Sequence, residues 1–394
     1  MSTGQPISMN ERSVWRLSAT PEEIARSNEV RFAELLTFFA FGFPARAFLG
    51  FPVLELMAGV MIVLAFLRKA QYRALPTVTT LGLLLAGTFI LSAGINQTVD
   101  LRRLVHIAGF VLLFHAFSTG RIHVRSAVIG LALGLTVGII ISIFEMQGEL
   151  FSARLYGELA DPNSGAYYMI ALGAIVLSTL SHKGLRRGFI ALITVGVGLT
   201  LSRTGLMALV FCYLWLANAR ILGWFTKLLL SAAMIYLVGH IPPSWQYFGP
   251  FSDRIGSDVL RHRIELASRA AVEHSGYLGN GPGTSFVRIT GLRFFYHNSY
   301  LALRNEVGWV GTILFLSLLV WLVFSLIRLP RSEQNPWLEM AIIATAIVAV
   351  NVGEILLELP TAVVIGVAMQ HLSRALAWEV EDARPLPPAL HRRQ

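Results

Sequence analysis

The strongest constraint on this chain is a succession of apolar runs, each of bilayer length, joined by short polar links. A span needs about 20 predominantly apolar residues, roughly 17–25. Candidates lie at about 32–48, 51–67, 76–94, 104–119, 126–145, 165–181, 188–202, 205–219, 222–240, 302–327, 337–356 and 360–378. The stretch 188–219 is divided because it far exceeds a bilayer and Ser202-Arg203-Thr204-Gly205 offers a polar turn at its middle. Composition agrees: 55% of the residues are hydrophobic and 14% charged, against about 25% charged in a soluble domain. The expected fold is an all-α polytopic membrane protein of about twelve transmembrane helices.

Charge patterning orients these helices. Alternate connections carry Arg68/Lys69/Arg73, Arg121/Arg125, Lys183/Arg186/Arg187, Arg220/Lys227, Arg328/Arg331 and the tail from Arg374 to Arg393. With twelve spans, all six clusters and the N-terminus fall on one side, which the positive-inside rule makes cytoplasmic. One missed span would throw every later cluster to the wrong face. The net charge of +9 is thus an orientation signal, with no continuous basic face for nucleic acid.

The resulting organisation is a cytoplasmic segment 1–31, helices one to nine over 32–240, a large periplasmic loop over 241–300, helices ten to twelve over 301–378, and a cytoplasmic tail 379–394. No cleavable signal peptide is expected. Thr20-Pro21-Glu22-Glu23 reads as a capped helix start within the polar first 30 residues. Residues 383–394, rich in Pro and Arg, are expected to be disordered. The single cysteine, Cys212, lies in an apolar run, so neither a disulfide nor a cysteine metal site is expected.

The loop 241–300 is the one long polar interruption. It holds Arg261-His262-Arg263, Gly279-Asn280-Gly281-Pro282-Gly283 and His297-Asn298-Ser299-Tyr300. Arg203, at a hairpin tip, and Asp161-Pro162-Asn163 fall on the same side. Ionisable groups at a membrane surface are costly and are functional candidates by default. Guanidinium groups hold phosphate by paired hydrogen bonds and stay charged. Histidine suits proton transfer near neutral pH. Arg261 and Arg263, two apart on a segment of helical periodicity (Ile264, Leu266, Ala270, Ala271), point to different faces, so one of them is expected to reach a shared site. Arg102 and Arg103 break the charge rule. Either the neighbouring spans are shifted, or these two serve the outer site. No metal-ligand spacing occurs.

The fragments Ser202-Arg203-Thr204-Gly205, Arg263-Ile264-Glu265-Leu266, Gly279-Asn280-Gly281-Pro282-Gly283-Thr284, His297-Asn298-Ser299-Tyr300-Leu301, Glu306-x-Gly308-x-x-Gly311 and Asp161-Pro162-Asn163 stand in a particular order. In that order the chain, over roughly residues 160–312, resembles the O-antigen ligase and polysaccharide polymerase family of bacterial inner membranes. Ala267 stands where the family often has Trp.

The resemblance implies about a dozen spans with a large periplasmic loop between the ninth and tenth. It implies transfer of a glycan from undecaprenyl pyrophosphate to an acceptor sugar, without cofactor or metal. The acceptor would be lipid A core in a ligase or a growing polysaccharide in a polymerase. Arg203 and Arg263 are expected on the pyrophosphate and His297 on the acceptor hydroxyl. Arg261, Asn298, Tyr300, Gly281, Gly283, Asn163, Arg102 and Arg103 are expected to contact substrate. A transporter would place ionisable groups or broken helices near mid-membrane, often in repeats. A membrane acyltransferase would be expected to carry a His-x4-Asp element, and none occurs. A structural scaffold needs none of these groups.

Overall fold

A computed structural model describes residues 29–48, 50–148, 154–155, 158–159, 161–240 and 255–382. The helix start expected at Thr20 and the tail 383–394 lie outside them. The fold is mostly helical. In chain order the helices are α1 (Phe32–Phe39), α2 (Val53–Phe66), α3 (Pro76–Asn96), α4 (Leu101–Ser118), α5 (Val124–Gly148) and α6 (Pro162–Thr179). Then come α7 (Lys183–Thr200), α8 (Arg203–Asn218), α9 (Trp224–Gly239), α10 (Ile255–Glu273), α11 (Ser299–Arg328), α12 (Pro336–Val348) and α13 (Leu359–Asp382). A helix stands at each apolar run, and α10 lies within the polar loop.

Among the described residues, four helices are long and apolar enough to cross a membrane: Pro76–Asn96, Leu101–Ser118, Val124–Met146 and Ser299–Arg328. Apolar side chains also cover outer faces. On α3, Leu83, Leu84, Ile90, Leu91 and Ile95 are all exposed, a band that in water would be a liability and in lipid is the expected surface. By contrast α6 is apolar nearly all round and buried along most of its length, as a central helix should be. It packs against α5, α7, α8, α12 and α13. On α5, Gly130, Gly134 and Gly138 let the backbone of Leu35, Phe39 and Gly42 approach so closely that no side chain would fit between them.

Two runs end earlier than their apolarity predicts. α1 closes with a 3-10 turn at Ala40–Gly42, and the chain then forms a two-residue antiparallel pair, β1 (Ala47–Phe48) with β2 (Phe51–Pro52). α12 stops at Val348. There the backbone leaves the helix so that the Val352 carbonyl can accept from the Ser299 hydroxyl and the Ile355 N–H can donate to it.

The connections gather into two sets. At one end, the Ser126 hydroxyl accepts from the Arg31 N–H (2.9 Å), Asn335 donates to the Ser178 carbonyl (3.1 Å), and His371 meets the Glu333 carbonyl (2.7 Å). Arg186 lies over Trp337 and Arg328 over Trp224, so the basic clusters share that end. The loop helix α10, β3 (Phe286–Ile289), β4 (Leu292–Phe295), and the starts of α6, α8 and α11 occupy the other.

Candidate functional site

His297 sits immediately before α11, and its position is fixed from both sides. Asn298 caps the helix, its side-chain oxygen accepting from the Tyr300 and Leu301 N–H groups (2.9 and 3.1 Å). Such a cap is worth about 1 kcal/mol. Ser299 is buried and bonded to the α12–α13 connection, its N–H reaching the Ala349 carbonyl (2.9 Å). Before the histidine, the Tyr296 carbonyl passes so near Gly353 that a Cβ there would collide with it.

The His297 ring stays accessible. Partial loss of solvent and the positive charge of Arg261 push its pKa below the usual histidine value, while Asp161 opposes them. Both effects favour the neutral imidazole, the form able to accept a proton. α10 explains the placement of Arg261. Leu260, Ile264, Ala267, Ala271 and Val272 pack against β3 and the start of α11. Arg261 flanks that stripe and is half-buried, whereas Arg263 is exposed. The guanidinium that faces the histidine is thus that of Arg261.

Asp161 caps α6 by accepting from the Asn163 and Ser164 N–H groups (2.9 and 3.4 Å). Asn163 in turn accepts from the Ser202 hydroxyl (2.8 Å), and the same Oγ takes the Gly205 N–H to cap α8 (3.2 Å). Leu201, with φ 46°, makes the reversal from α7. Arg203, half-buried, opens α8. Thr204 beside it accepts from Asn351 (3.2 Å). His297, Arg261, Asp161, Asn163 and Arg203 are thus brought to one end by caps and hydrogen bonds joining segments far apart in sequence.

A second structure adjoins them. At Gly308 (φ 63°, ψ −162°) α11 breaks. The Asn305 and Glu306 carbonyls, released from the helical ladder, accept from the Asn280 N–H (2.7 Å) and the Gly281 N–H (3.2 Å), and the Val310 N–H reaches the Tyr277 carbonyl (3.3 Å). Gly279, Gly281 and Gly283 have φ of 75°, 101° and 76°. Gly281 packs on Thr98 and Gly283 on Asp100 without room for a side chain.

The Glu306 side chain is fully buried. It accepts from the Gly283 N–H (3.2 Å) and from Arg103 Nε (3.0 Å), and Arg103 also lies 3.6 Å from Glu354. Arg102 stays exposed near Glu55 at 3.7 Å. Of the expected substrate-binding residues, Asn298 and the two glycines shape the backbone here. Tyr300 turns inward, its hydroxyl donating to the Ala346 carbonyl (2.7 Å).

Beside this knot lies a cavity of about 490 Å³ lined by Arg102, Arg103, His106, Arg293, Phe295 and Glu358, with Tyr168 and Glu354 at its wall. Glu358 accepts from the Tyr168 hydroxyl (2.7 Å). Burial pushes its pKa up to about 7; the Tyr168 hydrogen bond and His106 oppose this, and Glu354 and Asp161 add to it. Phe295, two residues before His297 in the chain, lines the cavity and ties it to the histidine segment. Sequence reasoning missed Glu358 and Tyr168. The carboxylate pair Glu354 and Glu358 in an otherwise apolar connection was the available signal. No protein-family model matches this chain, and no curated protein matches it.

Proposed function

We propose that this protein is an inner-membrane glycosyltransferase of twelve spans, which moves a glycan from undecaprenyl pyrophosphate to an acceptor sugar on the periplasmic side, as an O-antigen ligase does. The observation that carries this reading is an exposed histidine fixed at a helix start, its pKa pressed downward by partial burial and by the guanidinium of Arg261, with Arg203 and Asn163 at the same end. Support for the topology comes from the segregation of basic connections to the opposite end and from the apolar outer faces.

In the proposed reaction an acceptor hydroxyl attacks the anomeric carbon of the lipid-linked sugar. Its proton passes to the His297 ring as the new C–O bond forms. The bond to the pyrophosphate oxygen breaks, and the lipid pyrophosphate leaves with the electron pair. Fixed cations near the departing charge lower the barrier by electrostatic preorganisation, the role assigned to Arg203 and Arg261. A positioned base contributes about 10²–10⁴-fold. The neighbouring cavity, with Phe295 and Tyr168 among carboxylates and arginines, suits a glycan acceptor, whose hydroxyls need both donors and acceptors. Lipid A core fits a ligase, and a growing polysaccharide fits a polymerase.

Reconstitution tests this. Proteoliposomes holding the protein and a radiolabelled glycan on undecaprenyl pyrophosphate should transfer label to an added acceptor glycan, and should release lipid pyrophosphate in equal amount. A protein that is folded and inserted yet transfers nothing to either acceptor class would refute the reading.

A further inference from the structure

At the end of the bundle opposite His297, a groove of about 1790 Å³ opens between α5, α6, α7, α12 and α13. It exceeds the roughly 300–1,000 Å³ of ordinary small-molecule pockets. Its walls are of two kinds. Val128, Leu133, Phe189, Leu192 and Val367 run along the helices as an apolar lining. Arg31, Arg125, Arg374, His123, His182 and His371 stand toward the helix ends. Glu29 is the carboxylate among the described lining residues, and Glu34, behind the lining, lies 3.8 Å from Arg31.

Burial first, and then the charges of Arg31 and Arg125, press the His123 pKa below its usual value, with Glu34 and Glu29 opposing. Concentrated positive charge beside apolar walls calls for an anion carrying hydrocarbon. A second observation narrows the headgroup. Gln370 lines the groove and is only 7% exposed, yet its Oε1 has no hydrogen-bond partner among the described residues. A buried acceptor without a donor asks for an explanation, and a hydroxyl-bearing headgroup would supply the donor.

We propose that this groove is a binding site for an anionic glycerophospholipid with a hydroxylated headgroup, of the phosphatidylglycerol type. The phosphate lies at the arginine-rich mouth, where guanidinium groups give charge-assisted hydrogen bonds, and the acyl chains lie along the apolar walls. Basic pockets between spans on the cytoplasmic side are suited to anionic headgroups. The proposal rests on the membrane reading but not on the transfer reaction, since none of these residues belongs to the proposed catalytic end.

The test is native mass spectrometry of the full-length protein released from nanodiscs made of equal parts phosphatidylglycerol and phosphatidylcholine. Wild type should retain phosphatidylglycerol in clear preference. Each arginine near a membrane surface is worth on the order of fivefold in anionic-lipid binding. Arg125→Gln with Arg374→Gln should therefore lower the preference by about 25-fold by the same estimate. The charge-preserving pair Arg125→Lys with Arg374→Lys should keep most of it, which shows that the site, not the fold, was lost in the first pair. Both positions are exposed, so neither pair removes core packing. Equal retention of the two lipids by wild type, or an undiminished preference in the Gln pair, overturns the proposal. So does stabilisation of the detergent-solubilised protein by inorganic phosphate alone to the same extent as by phosphatidylglycerol, because the site would then take a free anion. Transfer activity is measured separately, so its absence leaves this result standing.

Discussion

The two ends of the bundle treat buried charge in opposite ways. Opposite His297, Lys227 and Glu339 are both buried and face each other, Nζ to the two carboxylate oxygens at 3.3 and 3.0 Å, with the Trp215 ring 5.8 Å from the ammonium. Glu34 is likewise enclosed, engaged by Arg68 and, at 3.8 Å, by Arg31. These groups satisfy one another. At the His297 end, Arg103 and Glu306 are also paired, yet Arg103 opens onto a cavity beside Glu354 and Glu358, and the histidine remains accessible. A pair sealed in the bundle fixes helix positions, whereas charge lining a cavity is available to a ligand. The two ends should therefore respond differently to substitution, one in stability and the other in turnover.

The largest effect expected from this contrast is at His297. His297→Ala should lower transfer by about 10²–10⁴ while leaving the thermal midpoint of the detergent-solubilised protein unchanged, because Asn298 and Ser299 hold the helix start without it. His297→Gln sharpens the result, since it keeps size and hydrogen bonding but takes up no proton in this pH range. Near-normal transfer by the Gln variant would mean that the residue only orients the acceptor.

At the sealed end the expectation reverses. Glu339→Leu strands the Lys227 ammonium and should cost about 3–5 kcal/mol of stability, with little change in transfer per folded molecule. Lys227→Met combined with Glu339→Leu should recover much of the loss, because an apolar pair of similar volume often replaces a buried ion pair at no cost. If the double variant is as unstable as the single one, the pair does more than pin two helices. A smaller penalty, about 1–3 kcal/mol from backbone strain, is the minimum for Gly308→Ala, and a Cβ there would also strike the Tyr277 carbonyl. Loss of the glycine knot should lower both the thermal midpoint and transfer, which would mark it as shared between scaffold and site.

Much of the helical framework was legible because burial in lipid demands long apolar runs. The segment expected at 76–94 is observed at Pro76–Asn96, and the reversal at Ser202 divides α7 from α8 where the polar residues fall. The hairpin β3–β4 was not read. Its turn, Thr290-Gly291, has φ of 51° and 85°, a conformation usually signalled by Asn-Gly or Asp-Gly rather than by a β-branched residue. Contacts such as Arg103 with Glu306 or Tyr168 with Glu358 join residues about two hundred positions apart, for which local sequence holds no cue.

The phase of α10 was partly readable. Ile264 and Ala271 do lie on the packed face, but Leu266 and Ala270, counted with them, are exposed. That shift in phase leaves Arg261 half-buried beside the packed stripe and Arg263, expected on the pyrophosphate, on the exposed side.

The smallest effect is also the one that decides between these two arginines. A general base works in its neutral form, so transfer should rise with pH through a limb set by His297 and level off above it. Partial desolvation and Arg261 hold that limb below the ordinary histidine value. Arg261→Gln removes a cation that disfavours the protonated ring, so protonation becomes easier, the pKa rises and the limb moves to higher pH. Arg263→Gln, on the exposed side of α10, should leave the limb in place. A pH profile of transfer measured on both variants reads this directly, and the limb position is independent of how far either variant lowers the plateau. Movement of the limb in the Arg263 variant but not in the Arg261 variant would place the loop helix in the other rotational phase, and with it the guanidinium that shares the site with His297.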